Sequence, residues 1–491
     1  MTNRIFGDTH LSFPAALLYT HFMDKHLLFR NRLFSAALSL GAAALLLLLC
    51  RSVYGGAGPF AGVGFKQLLA VCLVAVVAFL LREPDVKCQP NYIQRILGLG
   101  PAGDPAKPIR RGNGQNPVPR SDGQVPAQAG LPAPARDARY DWLRVLAVLF
   151  VITVHTLDGT LPFISAPLEG PMLDAYNRTP WAVSYAAAAA RAFLIQGNSL
   201  FVMLSGALLL PWREESIGRF YTRRLTKVAL PLVVYFFFYM WVNRHLTPFS
   251  ADAFLHCLHR LAAGDFSADC PFMWLAVVLV VFYLTVPFFR YLFRDIPYRA
   301  LTAFAAVIVL TMVINIYSPL DKFYTPFTAS WTGMAILGYW VTRPETRRFD
   351  RPLMLLGASG FALLLLITDP AAFATGYLDK LVHCSPIGML ISLGIFAAVF
   401  HFEAFFRKPH PLLTCLSGQS YTVLLLHWWA LYSVVKSSLG ISGAWYNPLS
   451  FAASIGLTAV IALIAGILLD NTLVLLARTL LDLPLTRLMQ E

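Results

Sequence analysis

Arg144 and His155 stand eleven residues apart in the stretch YDWLRVLAVLFVITVHTLDG (140–159), and only apolar side chains and one threonine lie between them. Eleven residues is close to three turns at 3.6 per turn, so both side chains project from one helix face, about 16 Å apart along the axis. A charged side chain at mid-bilayer costs roughly 2.5–3.5 kcal/mol on insertion scales, so both residues are expected to face protein or water. The imidazole changes charge near neutral pH and can exchange a proton or attack a carbonyl, while the guanidinium holds an anion. Asp158, three residues beyond His155 on the same side, is spaced to accept a hydrogen bond from the imidazole and set its tautomer. Each residue also has an ordinary reading: Arg144 snorkelling to headgroups, His155 ending the helix, Asp158 solvated in a loop.

Four basic residues, Arg219, Arg223, Arg224 and Lys227, crowd the start of another apolar stretch. Such a cluster suits a phosphate-bearing ligand, and Arg can contact phosphate bidentately. It equally suits the bias of basic residues toward cytoplasmic loops. Ser205 and Gly206 form a small-residue pair that permits close helix packing. Trp274, Tyr283, Tyr421 and His427 are polar-edged groups in apolar runs; aromatics there commonly pack, whereas a histidine near mid-helix stands out. His401 and Glu403 fall at a helix end and read as interfacial. No metal-ligand spacing, phosphate-loop glycine pattern or Ser-His-Asp order stands out, so no metal is expected.

The elements that must position these groups are membrane helices. Of 491 residues, 57% are hydrophobic and 13% charged, and the mean hydropathy is +0.60, a balance that a water-soluble fold cannot hide. Apolar windows of membrane-spanning length recur at 33–50, 64–82, 141–158, 196–212, 225–243, 272–292, 300–317, 328–342, 353–369, 387–405, 418–436 and 450–477. The predicted class is an all-α polytopic membrane protein: an N-terminal region (1–98) with a two-helix anchor, a linker (99–139), and a ten-helix body (140–491). The linker is rich in Pro, Gly and Ala with few large apolar residues, a composition that does not fold alone. The first apolar block follows about 30 mixed residues without a small-residue cleavage site, so it is expected to stay as an anchor.

The formal net charge of +13 would suit nucleic acid, but the basic residues lie in short loops between spans, so membrane topology explains them and no nucleic acid is expected. Arg213 to Lys227, Arg294, Arg299, Arg343 to Arg351, Arg407 and Lys408 fall on one side. The other side is poorer, with Arg178, Arg191, Arg244, Arg260, Lys322 and Lys380. The bias places both termini in the cytoplasm. Of seven cysteines, Cys257 and Cys270 fall in expected outer loops, where a bridge is permitted, although packing as free thiols is the simpler expectation. No repeat relates the halves of the body, unlike many secondary transporters.

The Arg-x10-His pattern opening a ten-helix body resembles the acyltransferase-3 family of integral membrane acyltransferases. The same order continues in NSLFVMLSGALLL (198–210), FYTRRLTKVALP (220–231), FMWLAVVLVVFYLTVP (272–287) and SGQSYTVLLLH (417–427). The N-terminal helix pair and linker lie outside the resemblance, and no soluble esterase-like domain follows the body. The resemblance implies a bacterial inner-membrane enzyme moving an acetyl group from cytoplasmic acetyl-CoA to a hydroxyl of a cell-surface or lipid-linked glycan. It makes His155, Arg144 and Asp158 the catalytic candidates. Arg219, Arg223, Arg224 and Lys227 become candidates for the CoA phosphates, and Ser205, Trp274, Tyr421 and His427 for substrate contacts. His155 would serve as general base or as a transient acyl carrier. Membrane lipids and the glycan acceptor are the expected partners. A transporter or flippase for a lipid-linked sugar is the alternative from another class.

Overall fold

The structure, a computed structural model, describes residues 136–164, 168–266, 269–317, 330–370 and 385–478. The expected two-helix anchor and nearly all of the linker lie outside these residues. Among the described residues every regular element is helical. In chain order the main helices are α1 (Ala138–Asp158), α2 (Trp181–Leu209), α3 (Ile217–Val242), α4 (Ala251–Ala263), α5 (Pro271–Phe293) and α6 (Tyr298–Tyr317). They continue with α7 (Trp331–Val341), α8 (Pro344–Ile367), α9 (Pro386–His401), α10 (Pro411–Gly418), α11 (Ser420–Trp429) and α12 (Pro448–Leu469).

Seven described helices are long and apolar enough to cross a membrane: α1, α2, α3, α5, α6, α8 and the extended α12, which runs Pro448–Arg478. The chain is therefore an integral membrane protein. Burial divides these helices: 72% of the apolar window of α2 is buried, against 22% in α6 and 28% in α8. So α2 runs through the centre, and α6 and α8 present apolar surface to the lipid.

Local sequence explains the elements that matter for the site. Asp137 caps α1 by accepting from the Arg139 amide at 3.1 Å, satisfying one of the open N–H groups of the first turn. The helix α2 starts fifteen residues before the expected span at 196, because WAVSYAAAAARAF is rich in the strongest helix former. The loop assignment from sequence puts Arg191 on the outer side; in the structure it is buried within α2. A window scored residue by residue counts that charge as a loop signal and cannot register an acidic partner on another helix.

Glycines let α2 and α7 touch backbone to backbone. A Cβ on Gly206 would fall on the Ala335 carbonyl, and one on Gly338 on the Met203 carbonyl. This is the small-residue packing expected within a bilayer. The α8 and α9 helices meet in the same way, at Gly357 and Gly394, where an added Cβ would lie 2.7 Å from the facing Cα. Cys257 and Cys270 are free and buried, as the packing reading anticipated.

Candidate active site

The His155 end of α1 is walled by α11, α5 and α2. The His155 ring stacks on that of His427, with centroids 5.2 Å apart and planes at 23°. It meets Trp428 edge-on, also at 5.2 Å. Phe272, at the start of α5, packs edge-on against His427 at 4.9 Å and lies against Trp428 at 5.9 Å. The two imidazoles thus share an aromatic box that excludes much of the solvent.

The protons in this box follow from the neighbours. His427 is fully buried, with Nδ1 2.6 Å from the Leu424 carbonyl. A carbonyl only accepts, so Nδ1 carries the hydrogen and Nε2 keeps its lone pair. That Nε2 is buried and lacks a hydrogen-bond partner. His155 turns Nδ1 toward Asp158 Oδ2 at 3.7 Å, a charge-orienting distance longer than a hydrogen bond. The short bond of Asp158 is to Arg191, whose Nε donates to Oδ1 at 2.8 Å. With Nδ1 facing the carboxylate, Nε2 of His155 is the nitrogen left for a substrate.

A helix irregularity completes this end. The Tyr239 hydroxyl donates to the Leu425 carbonyl at 3.1 Å and accepts from the Trp429 amide at 3.1 Å. These are the i and i+4 groups that an undisturbed helix would pair with each other. Immediately after this insertion α11 widens into a π-helix, Ala430–Ser438. The widened turn brings Tyr432 against Trp428, with rings 4.4 Å apart, and its hydroxyl donates to the His155 carbonyl at 3.3 Å. It also carries the Lys436 amine to the Gly159 end of α1. One turn before Tyr239 on α3, the Tyr235 hydroxyl donates to Asp470 at 2.8 Å, and Thr422 of α11 donates to the same carboxylate. The α11 helix is braced twice from α3.

The other end of α1 is an ionic knot. Arg144 Nη1 donates to Ser417 at 3.3 Å and lies 3.6 Å from Asp141. The buried Asp141 accepts from Ser417 at 2.6 Å and from Arg136 at 2.8 and 2.7 Å. Nearby, Arg139 lies 3.2 Å from Glu403, which also pairs with Arg407.

The basic segment sits on α3, where a π turn spans Tyr221–Leu225. Arg219, Arg223 and Lys227 are exposed and Arg224 is half-buried, with Arg223 3.7 Å from Glu215. Beneath them Arg290 of α5 is only 3% exposed. Its Nε donates to the Leu209 carbonyl at 2.6 Å and its Nη1 to Glu215 at 3.3 Å, over the Phe220 ring. Its buried Nη2 has no hydrogen-bond partner.

The expected residues therefore separate. His155, Asp158 and His427 come together at one end, and Arg144 lies at the other. Tyr421 donates to the Val228 carbonyl at 2.9 Å, just beyond the basic segment. Ser205 bonds back to the Phe201 carbonyl beside the α2–α7 crossing. The Trp274 ring packs on Trp331 at 5.2 Å.

Sequence reasoning passed over Arg191, Tyr239, Arg290, Trp428, Tyr432 and Lys436. For Arg290 a usable signal existed, a charge within an otherwise apolar span. Among the described residues, no three His, Cys, Asp or Glu side chains cluster as metal ligands would.

This is an integral membrane protein whose paired histidines sit in a shielded aromatic box. The sequence model described as an acyltransferase domain matches residues 137–467, so the chain belongs to the acyltransferase-3 family and is a membrane acyltransferase. No curated protein and no solved structure matches it. Family membership favours transfer chemistry over the transporter or flippase alternative.

Proposed function

We propose that the chain moves an acetyl group from acetyl-CoA to a hydroxyl of a cell-surface or lipid-linked glycan. The observation that carries this reading is the paired imidazoles: His155 with Nδ1 toward Asp158, and His427 with a buried, unpartnered Nε2. The acceptor hydroxyl gives its proton to Nε2 of His155, and its oxygen attacks the thioester carbonyl. As the tetrahedral intermediate collapses, the C–S bond breaks and the CoA sulfur leaves with the electron pair and takes the proton from His155. Asp158, fixed by Arg191, is a positioning residue that favours the transient imidazolium. The Nε2 of His427 accepts a hydrogen bond from the acceptor and helps to orient it.

The residues at the basic end fit the donor. Arg219, Arg223, Arg224 and Lys227 offer exposed or half-exposed charge, and the open Nη2 of Arg290 lies beneath them. These groups would take the CoA phosphates, with Arg144 at the entrance of the path along α1 toward His155. The excess of Lys and Arg in the loops on this side supports a cytoplasmic donor face and cytoplasmic termini, and the family resemblance suggests a bacterial inner membrane.

The test is transfer by the purified chain in lipid vesicles from acetyl-labelled CoA to candidate glycans and lipid-linked sugars. Label in the glycan, lost in His155→Ala protein that still inserts and folds, is the expected outcome. Near-normal transfer by that variant overturns the assignment.

A further inference from the structure

Lys436 belongs to no part of the reaction described above. It lies on the π-helix Ala430–Ser438, seven residues after Trp429, whose amide meets the inserted Tyr239 hydroxyl. Its Nζ is buried and has no hydrogen-bond partner, although it lies 5.0 Å over the Tyr432 ring. Asp158 attracts it only from a distance, because that carboxylate is bonded to Arg191 and turned toward His155. Among the described residues no acid pairs with Lys436.

A second observation bears on the same amine. Gly159 closes α1 in ordinary right-handed geometry, with φ −75°, so its backbone does not require glycine. Its missing side chain leaves room instead: a Cβ there would fall on Lys436 Nζ, with the Tyr432 hydroxyl 2.9 Å away. Gly159 is one turn beyond His155 on the same helix face. The amine thus sits past the histidine, on the side away from Arg144 and the donor path, and next to the exposed residues 437–440. A shielded cation without a counter-charge is costly unless an anion arrives to pair with it.

We propose that Lys436 is an anion-recognition group of the acceptor site, and that the acceptor carries a carboxylate or phosphate within reach of the hydroxyl to be acylated. This rests on the acyl-transfer reading and specifies its substrate class. An acidic sugar and a phosphate-bearing lipid-linked sugar present the same charge. The ammonium pairs with the acceptor's anion, which holds the neighbouring hydroxyl at Nε2 of His155. No bond to Lys436 forms or breaks.

The test uses the full chain in lipid nanodiscs and two readouts. The first is binding of methyl glucuronide, glucose-1-phosphate and the neutral methyl glucoside. The wild type is expected to bind at least one of the acids about ten-fold more tightly than the neutral sugar, and which acid wins identifies the source of the charge. Lys436→Met erases that preference, and Lys436→Arg keeps part of it. Removing an unpaired shielded cation leaves the thermal midpoint of Lys436→Met unchanged or higher, which separates this loss from misfolding. Gly159→Ala displaces the amine and reproduces the loss.

The second readout is transfer from acetyl-CoA. In Lys436→Met, kcat/KM for the acidic acceptor falls about ten-fold, while the donor KM and the rate with a neutral acceptor hold. Equal binding of acidic and neutral sugars by the wild type overturns the proposal, as does an equal fall in transfer to both acceptors. Acid binding that depends on Lys436 without any acyl transfer upholds the anion site and sinks the reaction instead.

Discussion

His427 commits one nitrogen to the Leu424 carbonyl and keeps the other dry and open, an expensive arrangement unless a hydroxyl visits it. His427→Phe keeps a flat ring against Phe272 and His155 but removes the acceptor. It is expected to lower transfer about ten-fold with little change in thermal midpoint, measured on the same purified sample. The Asp158–Arg191 pair behaves differently, because both side chains are largely buried. Arg191→Gln takes from the buried Asp158 carboxylate its 2.8 Å donor and is expected to cost about 3 kcal/mol, and Asp158→Asn is expected to destabilise as well. The double variant should cost less than the sum, a result that thermal unfolding of the four proteins would check. Much of this was legible early: Arg144, His155 and His427 stood out as polar groups in apolar runs. Arg191 did not, since only the fold reveals that its carboxylate lies thirty-three residues away on α1.

At the scale of the element, the π-helix Ala430–Ser438 was invisible to periodicity, because its cause is a tyrosine on α3. Nothing in SYTVLLLHWWALYSVVKSS announces where a distant hydroxyl will enter the backbone ladder. Tyr239→Phe removes that hydroxyl and leaves the Leu425 carbonyl and Trp429 amide to pair with each other. The widened turn should then relax toward α geometry and rotate Tyr432 and Lys436 away from the Gly159 end of α1. The expected outcome is a fall in kcat of about ten-fold or more with the donor KM unchanged, measured by steady-state transfer. The basic cluster was visible as a charge run, and Arg290 beneath it as a lone charge within the apolar span 272–292. The helical class and, among the described residues, most helix positions could be read because a bilayer imposes long apolar stretches. The early start of α2 could not, since its alanines carry too little hydrophobicity to register as a span.

On the scale of the whole molecule, the bundle is tied at its margins as well as at its centre. The amphipathic α4 is fastened to the end of α3 through Asp269, which accepts from Asn243 at 2.8 Å and lies 2.8 Å from His245 Nε2 and from Arg260 Nη1. Burial acts to raise the Asp269 carboxyl, but hydrogen bonds from His245 and Arg260 outweigh it and hold the group below its ordinary value of 3.8. A carboxyl lowered in the folded state stabilises above its unfolded pKa, and that stability fades as pH falls through the folded value. Between pH 5 and pH 3 the thermal midpoint of the wild type should therefore drop further than that of Asp269→Asn, read in the same buffers. The α1 helix carries the longer consequence, because one rigid rod joins the Arg144 knot to the His155 box. Two fixed points on one rod measure length: under the proposed reaction a thioester donor would have to be long enough to be gripped at one end while it reacts at the other. Acetyl-N-acetylcysteamine, which has the thioester but lacks the nucleotide handle, should react slowly, fail to saturate, and ignore Arg223→Ala. The same substitution should raise the KM for acetyl-CoA, so the enzyme would select its donor by reach as much as by the group it carries.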